Sequence, residues 1–552
     1  MLISIIACNS LWGITISKNQ VLYLMQAGQI KKGVDLYKNY VNETGKHDFS
    51  ILEQMSYIIL NQGASSTDEE VQLLSMYGAN IAGVVESMSI YDIGMSSSNP
   101  MIQLATIQFL SQIQDDRAEE ILYKAYNSPF LPVRMEASYA LANRKSERAP
   151  GIIDSLMKKL PSMFWVYFPD LFAMIGSMDA MGVLQRLMGD KQVEVRLAAI
   201  LAAAKFGRDD FLSYIRSGAT HSDQGEQETC AMALGHLKDS NSISQLKILS
   251  QSPHSNVKLA ASQSLYLLGD HSYSEEIIQS ALKRNPFAIS LLVPIPHSEN
   301  ILFELLKDYN VSIRVNAALA LLNKRNPSCI PVLMNVLLKD EKDLGLIPQY
   351  SLGRSLIAWK VIYSSTQYAK QTKQDVPSVT LSLREQILQN MLELGEEDFL
   401  RVAREIFEKK QHDLVPLLIH LLENLNTPNA VALLEDQSKR AGVPFIRTYC
   451  HFALYRLKAE ESHGAFLFDW IKGKNEIELI RFRPVVAWTS REGTEGPFIL
   501  TPQETSMLLI EAFSTLAQNH DPKGIDLLID AISEGHEKNR YVISGLLLKA
   551  IQ

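Results

Sequence analysis

The sequence has little of the chemistry that marks enzymes, disulfide-rich proteins or metal proteins. Its 552 residues include only four cysteines, and none of them lies in a Cys-x-x-Cys pair or at a zinc-ligand spacing. A glycine-rich phosphate loop, a Gly-x-Ser-x-Gly nucleophile turn and a His-Glu-x-x-His zinc helix are all missing from the sequence. The sequence therefore predicts no cofactor, no metal and no catalytic residue.

A basic excess is also missing. The formal net charge is −8, and the first hundred residues contain no arginine. Proteins that bind nucleic acid without enzymatic chemistry usually carry a strong positive charge, because they must neutralise phosphates. The charge disfavours a nucleic-acid scaffold, although a local basic groove stays open. The remaining composition, 46% hydrophobic and 21% charged, is ordinary for a soluble body.

Charge is absent from the first residues as well. Residues 1–16 form an apolar segment, and no charged side chain precedes Lys18. The segment is too short for a normal membrane span and lacks the positive start of a signal peptide. However, the sequence from Ile5 to Cys8 resembles a bacterial lipobox. A buried first helix, export and lipid anchoring all stay open, so the location is either cytoplasmic or exported. Membrane contact is expected only if this segment is an anchor.

What the sequence does contain is a phrase that recurs at a spacing of 31 residues. An apolar residue and an arginine begin the phrase, and small residues follow four and seven positions later. The three strongest examples are Val133-Arg134, Ala137, Ala140, Leu141; Val195-Arg196, Ala199, Ala202, Ala203; and Ile313-Arg314, Ala317, Ala320, Leu321. The first two are two periods apart, and the third comes six residues early because one intervening unit is shortened. A fixed period in this range indicates a stacked-repeat architecture.

Each repeat is predicted to be a pair of helices. The apolar and small positions of the phrase lie on one helical face, and a second apolar pattern follows eleven to twelve residues after its end, as at Ile121-Leu122 and Val183-Leu184. Small residues let antiparallel helices approach closely. One such hairpin cannot bury its own apolar face, so it must stack on its neighbours. The predicted fold is an all-α superhelical solenoid of the armadillo type.

The phrase resembles that of HEAT repeats, and the short 31-residue period is most similar to the HEAT-like units of phycobilisome lyases. The resemblance implies an α-solenoid and says little about function, because such proteins act as scaffolds, transport receptors, assembly factors and, rarely, enzymes. We expect a non-catalytic scaffold or adaptor that binds protein partners on its concave surface. The alternatives are a lyase-like or assembly-factor activity and a nucleic-acid-binding scaffold, which the charge disfavours.

The repeat pattern also divides the chain. Residues 17–98 are helical but lack the phrase, which is typical of a terminal capping region. Residues 99–363 form the main repeat block, and residues 364–380 are polar and carry a proline, which predicts a linker. Residues 381–552 form a second block with a more degenerate phrase in a different phase.

One repeat departs from the phrase and supplies the candidate binding site. In the segment from Pro161 to Phe172, Trp165 replaces the arginine and Phe168 replaces the first small residue. At helical spacing, Phe164, Phe168 and Phe172 fall on the core face. Trp165 and Tyr167 fall off that face.

Exposed aromatics of this kind are enriched in binding hot spots. We therefore expect Trp165 and Tyr167 to bind a protein partner, with Arg134 and Arg196 on the flanks. The alternatives are that the two aromatic residues pack against the adjacent repeat and that each arginine braces a neighbouring turn.

Two further sets of residues have side chains of the types found in reactive or metal-binding sites. Cys230 and Cys450 occupy small-residue slots, which predicts small buried hydrophobic residues rather than reactive thiols. The loop with His221, Asp223, Glu226 and Glu228 has metal-ligand residue types, but no repeat partner accompanies it. We expect this loop to be solvated.

Overall fold

The structure is a computed structural model. It describes residues 18–83, 87–338, 377–411, 413–440, 444–472, 474, 477 and 502–552. The described residues form thirty α-helices and no β-strand, which confirms the predicted all-α class. The predicted apolar segment 1–16 and residues 364–376 of the predicted linker lie outside the described residues. The last four residues of that linker are helical, because a helix begins at Pro377.

The first half of the described chain contains α1 Lys18–Gln26, α2 Ile30–Thr44, α3 Phe49–Ala64, α4 Glu69–Ala82, α5 Met88–Met95, α6 Pro100–Leu110, α7 Asp116–Lys124, α8 Leu131–Asn143, α9 Ala149–Lys158, α10 Pro169–Ile175, α11 Met178–Met188, α12 Val193–Lys205, α13 Leu212–Gly218, α14 Gln224–His236 and α15 Ile243–Leu249.

The second half contains α16 Ser255–Leu267, α17 Ser274–Leu282, α18 Pro286–Leu291, α19 Glu299–Leu305, α20 Val311–Asn323, α21 Ile330–Leu338, α22 Pro377–Asn390, α23 Glu396–Glu408, α24 Val415–Leu425, α25 Pro428–Lys439, α26 Pro444–Arg456, α27 Glu461–Ile471, α28 Pro502–Asn519, α29 Pro522–Glu534 and α30 Asn539–Ile551. No helix in these ranges is long and apolar enough to cross a membrane.

The chain divides into two compact units. We call the first the terminal unit, because it combines Met1–Arg134 with His451–Pro484 and Glu495–Gln552. We call the second the repeat unit, which comprises Met135–Cys450 and Val485–Thr494.

In the repeat unit, helices of successive hairpins pack side by side in the order of the sequence. Helix α12 packs on α10 and α14, and α14 packs in turn on α16. The phrase residues lie in these contacts: Val195, Ala199, Ala202 and Ala203 are all fully buried. The later apolar pattern is buried too, as at Leu184. The prediction of stacked two-helix repeats is confirmed.

The backbone repeats with the same period. The residue that ends each phrase helix is left-handed, with φ of 56° at Lys145, 72° at Gly176, 66° at Gly207, 54° at Lys238 and 100° at Gly269. Each lies 31 residues after the previous one. After Lys145, Gly207, Lys238 and Gly269, the next residue donates its N–H to the carbonyl five residues earlier, as in Arg208 N to Ala203 O at 2.8 Å, whereas Gly176 itself donates to Phe172 O at 3.1 Å. The first of these is the Schellman arrangement that closes a helix.

The terminal unit joins the two ends of the chain. The last helix, α30, packs against α3 and α4 from the start of the chain and against α28 and α29 from its end. Helix α2 packs against α29 as well. The helices of the predicted N-terminal capping region are therefore covered by helices from the last part of the sequence.

Candidate protein-binding surface

Two prolines shape the aromatic segment of the repeat unit. Residues Ser162–Tyr167 form a 3₁₀ helix between Pro161 and Pro169. Pro169 has no N–H, and its ring clashes with the carbonyl four residues earlier in a continuous α-helix. It is tolerated as the first residue of α10, where an N–H would have no partner within the helix. The phrase helix of this repeat is therefore split into a 3₁₀ turn and the short α10.

The split changes which side chains face the core. A 3₁₀ helix has three residues per turn, so residues four apart point in different directions. Phe168 and Phe172 are fully buried, as predicted, but Phe164 is 37% exposed. The prediction that Phe164 faces the core is wrong, because it assumed an unbroken α-helix.

The 3₁₀ helix presents an apolar surface to solvent. Met163 is 65% exposed and Tyr167 58% exposed, with Phe164 between them. Trp165 is half-buried beside them. We call Met163, Phe164, Trp165 and Tyr167 the aromatic surface. Tyr167 lies off the core face, as its register position predicts, whereas Trp165 is partly enclosed.

The arginine of the phrase donates hydrogen bonds to backbone carbonyls in the turn that precedes its helix. Arg196 Nη1 donates to Asp190 O at 2.8 Å and to Lys191 O at 3.1 Å. Arg314 Nη1 makes the same two bonds, to the carbonyls six and five residues earlier, at 2.8 and 3.0 Å. The interpretation of these arginines as braces of the turn is confirmed for both.

Other residue types in this slot do the same. Gln103 Nε2 donates to Ser97 O and Gln227 Nε2 to His221 O, each at 2.7 Å and six residues back. Arg134 Nη1 donates to Ser128 O, again six residues back.

Trp165 follows this pattern. Its indole Nε1 donates to Leu160 O, five residues back, at 3.2 Å. Part of the role of Trp165 is therefore structural, since it replaces the arginine as the donor to the turn.

The structure places the four predicted site residues on three elements. Trp165 and Tyr167 share the 3₁₀ helix, which packs against α12, the helix of Arg196. Arg134 lies on α8 at the edge of the terminal unit. Sequence reasoning missed Met163 and Phe164. The signal that could have found them is Pro169, which forces the helix to break.

Arg196 also links two repeats through a buried carboxylate. Its Nε pairs with Glu226 Oε1 of the next phrase helix, and His221 Nδ1 lies 2.6 Å from Glu226 Oε2. The side chain of Glu226 is 4% exposed. The prediction of a solvated loop is therefore wrong for Glu226, because the charge of Arg196 favours its burial, and for Glu228, which is also buried. In the described part of the chain, no group of three or more His, Cys, Asp or Glu residues could hold a metal ion.

The described cysteines are buried. Cys230, Cys329 and Cys450 are fully enclosed. Burial raises the pKa of the Cys230 and Cys329 thiols to about 12 and also raises the pKa of Cys450. A thiol of this kind is protonated at neutral pH and unreactive. The prediction that Cys230 and Cys450 act as small hydrophobic residues is confirmed.

No protein-family model matches the sequence, and a search of curated proteins gave no match. Among solved structures, the chain is similar to Kap95p in its complex with RanGDP, with 11% identity and a TM-score of 0.31 over 97% of this chain and 76% of that chain. It is also similar to importin beta, with 10% identity and a TM-score of 0.31 over 97% and 83%. At these values the likeness adds nothing to the helical architecture described above.

Proposed function

We propose that the chain is a non-catalytic scaffold of HEAT-like repeats that binds a protein partner through the aromatic surface. The observation that carries the proposal is the exposure of Met163, Phe164 and Tyr167 together on one short 3₁₀ helix. A contiguous apolar patch on a protein surface commonly marks an interaction site. Aromatic side chains with a polar tip, such as Tyr167, are enriched at the centres of such interfaces.

The comparison with other repeats supports a role beyond stacking. The register position of Tyr167 is occupied by Glu136 in the preceding repeat and by Ala198 in the following one. Neither neighbour needs an aromatic side chain there for its helices to stack. The large apolar side chain at Tyr167 is therefore dispensable for the stack and available to a partner.

Arg134 and Arg196 enter the proposal as flanking residues. Their guanidinium groups donate to the turns that precede their own helices, so they hold the surrounding surface in place. We find no observation in the described ranges that favours the lyase-like or nucleic-acid-binding alternatives.

The experiment distinguishes two roles of Trp165, namely contact with a partner and the hydrogen bond to Leu160 O. The variant Trp165→Arg/Tyr167→Ala restores the arginine found at this slot in other repeats and removes both aromatic rings. Because the arginine can replace the indole as the donor to Leu160 O, we expect the thermal midpoint to change little. Loss of one hot-spot aromatic costs about 2 kcal/mol of binding free energy. That corresponds to a roughly thirtyfold weaker affinity for the main partner.

The matched control is Tyr309→Ala, because Tyr309 is 84% exposed elsewhere in the repeat unit. The partner is first identified by affinity capture from native cells, and its dissociation constant is then measured for the wild type and both variants. A folded double variant that binds with unchanged affinity would rule out the aromatic surface as the binding site. Equal loss in Tyr309→Ala would also count against it.

A further inference from the structure

The last helix of the chain has almost no face toward solvent. On α30, nine of the thirteen residues are buried, including Val542, Ile543, Leu546 and Leu547. A helix that is apolar on all sides must be enclosed by other elements. Helices α3 and α4 cover one side of α30, and α28 and α29 cover the other.

The contact between α30 and the start of the chain is made at backbone level. A Cβ placed on Gly545 would lie 2.0 Å from Gly78 O, and one on Gly78 would lie 2.2 Å from Tyr541 O. A Cβ on Gly63 of α3 would lie 2.5 Å from the ring of Tyr541. Helices α4 and α30 therefore approach each other more closely than residues with a Cβ atom would allow.

This closeness fixes the register of α30. The neighbours of Gly545 are Ser544 and Leu546. A shift of one residue in either direction would place one of their side chains against the carbonyl of Gly78. The groove between α3 and α4, which we call the α3–α4 groove, thus accepts this helix in one position.

Ion pairs also join the first helices of the unit to its last part, and the lysine lies on opposite partners in the two cases. Lys38 of α2 pairs with Asp530 at 2.6 Å and Glu534 at 3.7 Å on α29. In the opposite sense, Lys538 pairs with Asp68 at 3.7 Å and with Glu70, at the start of α4.

The effect on Lys38 agrees with this arrangement. Burial lowers the pKa of Lys38, but the bond to Asp530 and the nearby carboxylates outweigh burial and hold its pKa above the usual value. The end of α30 is also held, since Gln552 Nε2 donates to Ala82 O at 3.1 Å.

We propose that the α3–α4 groove is a binding site for a single helix and that its occupant is α30 of the same chain. The groove recognises α30 through the glycine contacts and the ion pairs of Lys538 with Asp68 and Glu70, not through its covalent connection. The helix therefore stays bound when the chain is cut before it. It also holds α3 and α4 in the folded state across more than 450 residues of intervening sequence.

The first test cuts the folded, full-length chain. A protease site is inserted after Gly535, in the turn between α29 and α30, and is cleaved after purification. Native mass spectrometry then measures how fast the freed C-terminal segment dissociates. We expect the nicked wild type to retain the segment and Lys538→Glu to release it severalfold faster, because the change places a carboxylate against Asp68 and Glu70. The control Lys549→Glu makes the same charge change at an exposed position of α30.

The second test uses the uncut chain. In Gly545→Val we expect amide hydrogen exchange in α3 and α4 to rise at least tenfold, whereas α12, α14 and α16 of the repeat unit keep their protection. The control Gly182→Val changes a helical glycine that has no atom within 4 Å of its Cβ position. The proposal is overturned if the nicked wild type loses the segment as fast as Lys538→Glu. Unchanged exchange in α3 and α4 of Gly545→Val would overturn it as well.

Discussion

The repeat unit and the terminal unit obtain the same all-α architecture from different kinds of contact. In the repeat unit, α12, α14 and α16 each pack on the neighbouring phrase helix, about 31 residues away in the sequence. In the terminal unit, α30 packs on α3 and α4, more than 450 residues away. A substitution in a stack of local contacts destabilises mainly the neighbouring helices, because the stability of such a stack is a sum over neighbouring repeats. A substitution in the long-range contact of α30 destabilises helices from both ends of the sequence.

The largest effect in the repeat unit is expected at Gly235 of α14. A Cβ there would lie 2.6 Å from the Cα of Ser264 and 2.3 Å from its Oγ, which itself donates to Ala231 O. Gly235→Val forces α14 and α16 apart and should cost about 3 kcal/mol of unfolding free energy, at the upper end of overpacking costs. Hydrogen exchange should rise in α14 and α16 and not in the terminal unit. A global rise in exchange would remove the contrast between the units.

The next largest effect is expected for Ala199→Leu, which should lower the unfolding free energy by about 1–3 kcal/mol. Ala199 is fully buried in the small slot of α12, where neighbouring helices pack closely. Chemical denaturation measures the effect, and Gln192→Ala, at the cap position before α12, serves as the control with little expected change. An unchanged unfolding midpoint for Ala199→Leu would mean that the contacts of α12 tolerate a large side chain.

A pH dependence of the repeat unit should come from its inter-repeat ion pairs. The hydrogen bonds from Arg216 lower the pKa of Asp239, and those from Arg284 lower the pKa of Asp308. A carboxylate with a depressed folded pKa contributes stability that is complete above its unfolded pKa, about 3.9, and is lost as the pH falls through the folded value.

We therefore expect the repeat unit to lose stability below about pH 4. Asp239→Asn should reduce stability at neutral pH and flatten the acid limb of the unfolding curve. Acid curves that superimpose for the wild type and Asp239→Asn would exclude this pair as the cause.

The smallest effects are expected at the left-handed slot that ends each phrase helix. Lys238 has φ of 54° there, and an L-residue in this region costs about 1 kcal/mol relative to glycine. Lys238→Gly should therefore raise the unfolding free energy by up to about 1 kcal/mol, and Gly207→Ala should lower it by a similar amount. Thermal denaturation of the two variants should give shifts of opposite sign.

The difference between the units also sets how much could be predicted from the sequence. The phrase predicted the buried residues of α12 and α20, because close helix contacts require small side chains at fixed spacing. No phrase marks Gly78 or Gly545, and a lone helical glycine does not identify its distant partner. The pairing of α30 with the start of the chain was therefore not predictable.

The candidate site was predictable in part for a similar reason. The exposure of Tyr167 follows from its register position. The exposure of Phe164 depends on Pro169, which breaks the helix. The bond from Trp165 to Leu160 O also has a signal in the sequence, since Gln103, Arg134 and Gln227 share that slot and each of these three side chains carries an N–H donor.

The recurrent left-handed residue has a consequence for how the length of such a chain can change. A deletion of residues 208–238 would join Gly207 directly to Asp239, so the residue before the junction keeps its left-handed φ and the residue after it keeps its place in the helix-closing bond. Duplication of the same segment would preserve both features. Junctions of this kind need no new turn geometry, so whole hairpins can be gained or lost in one genetic event without remodelling of the neighbouring backbone.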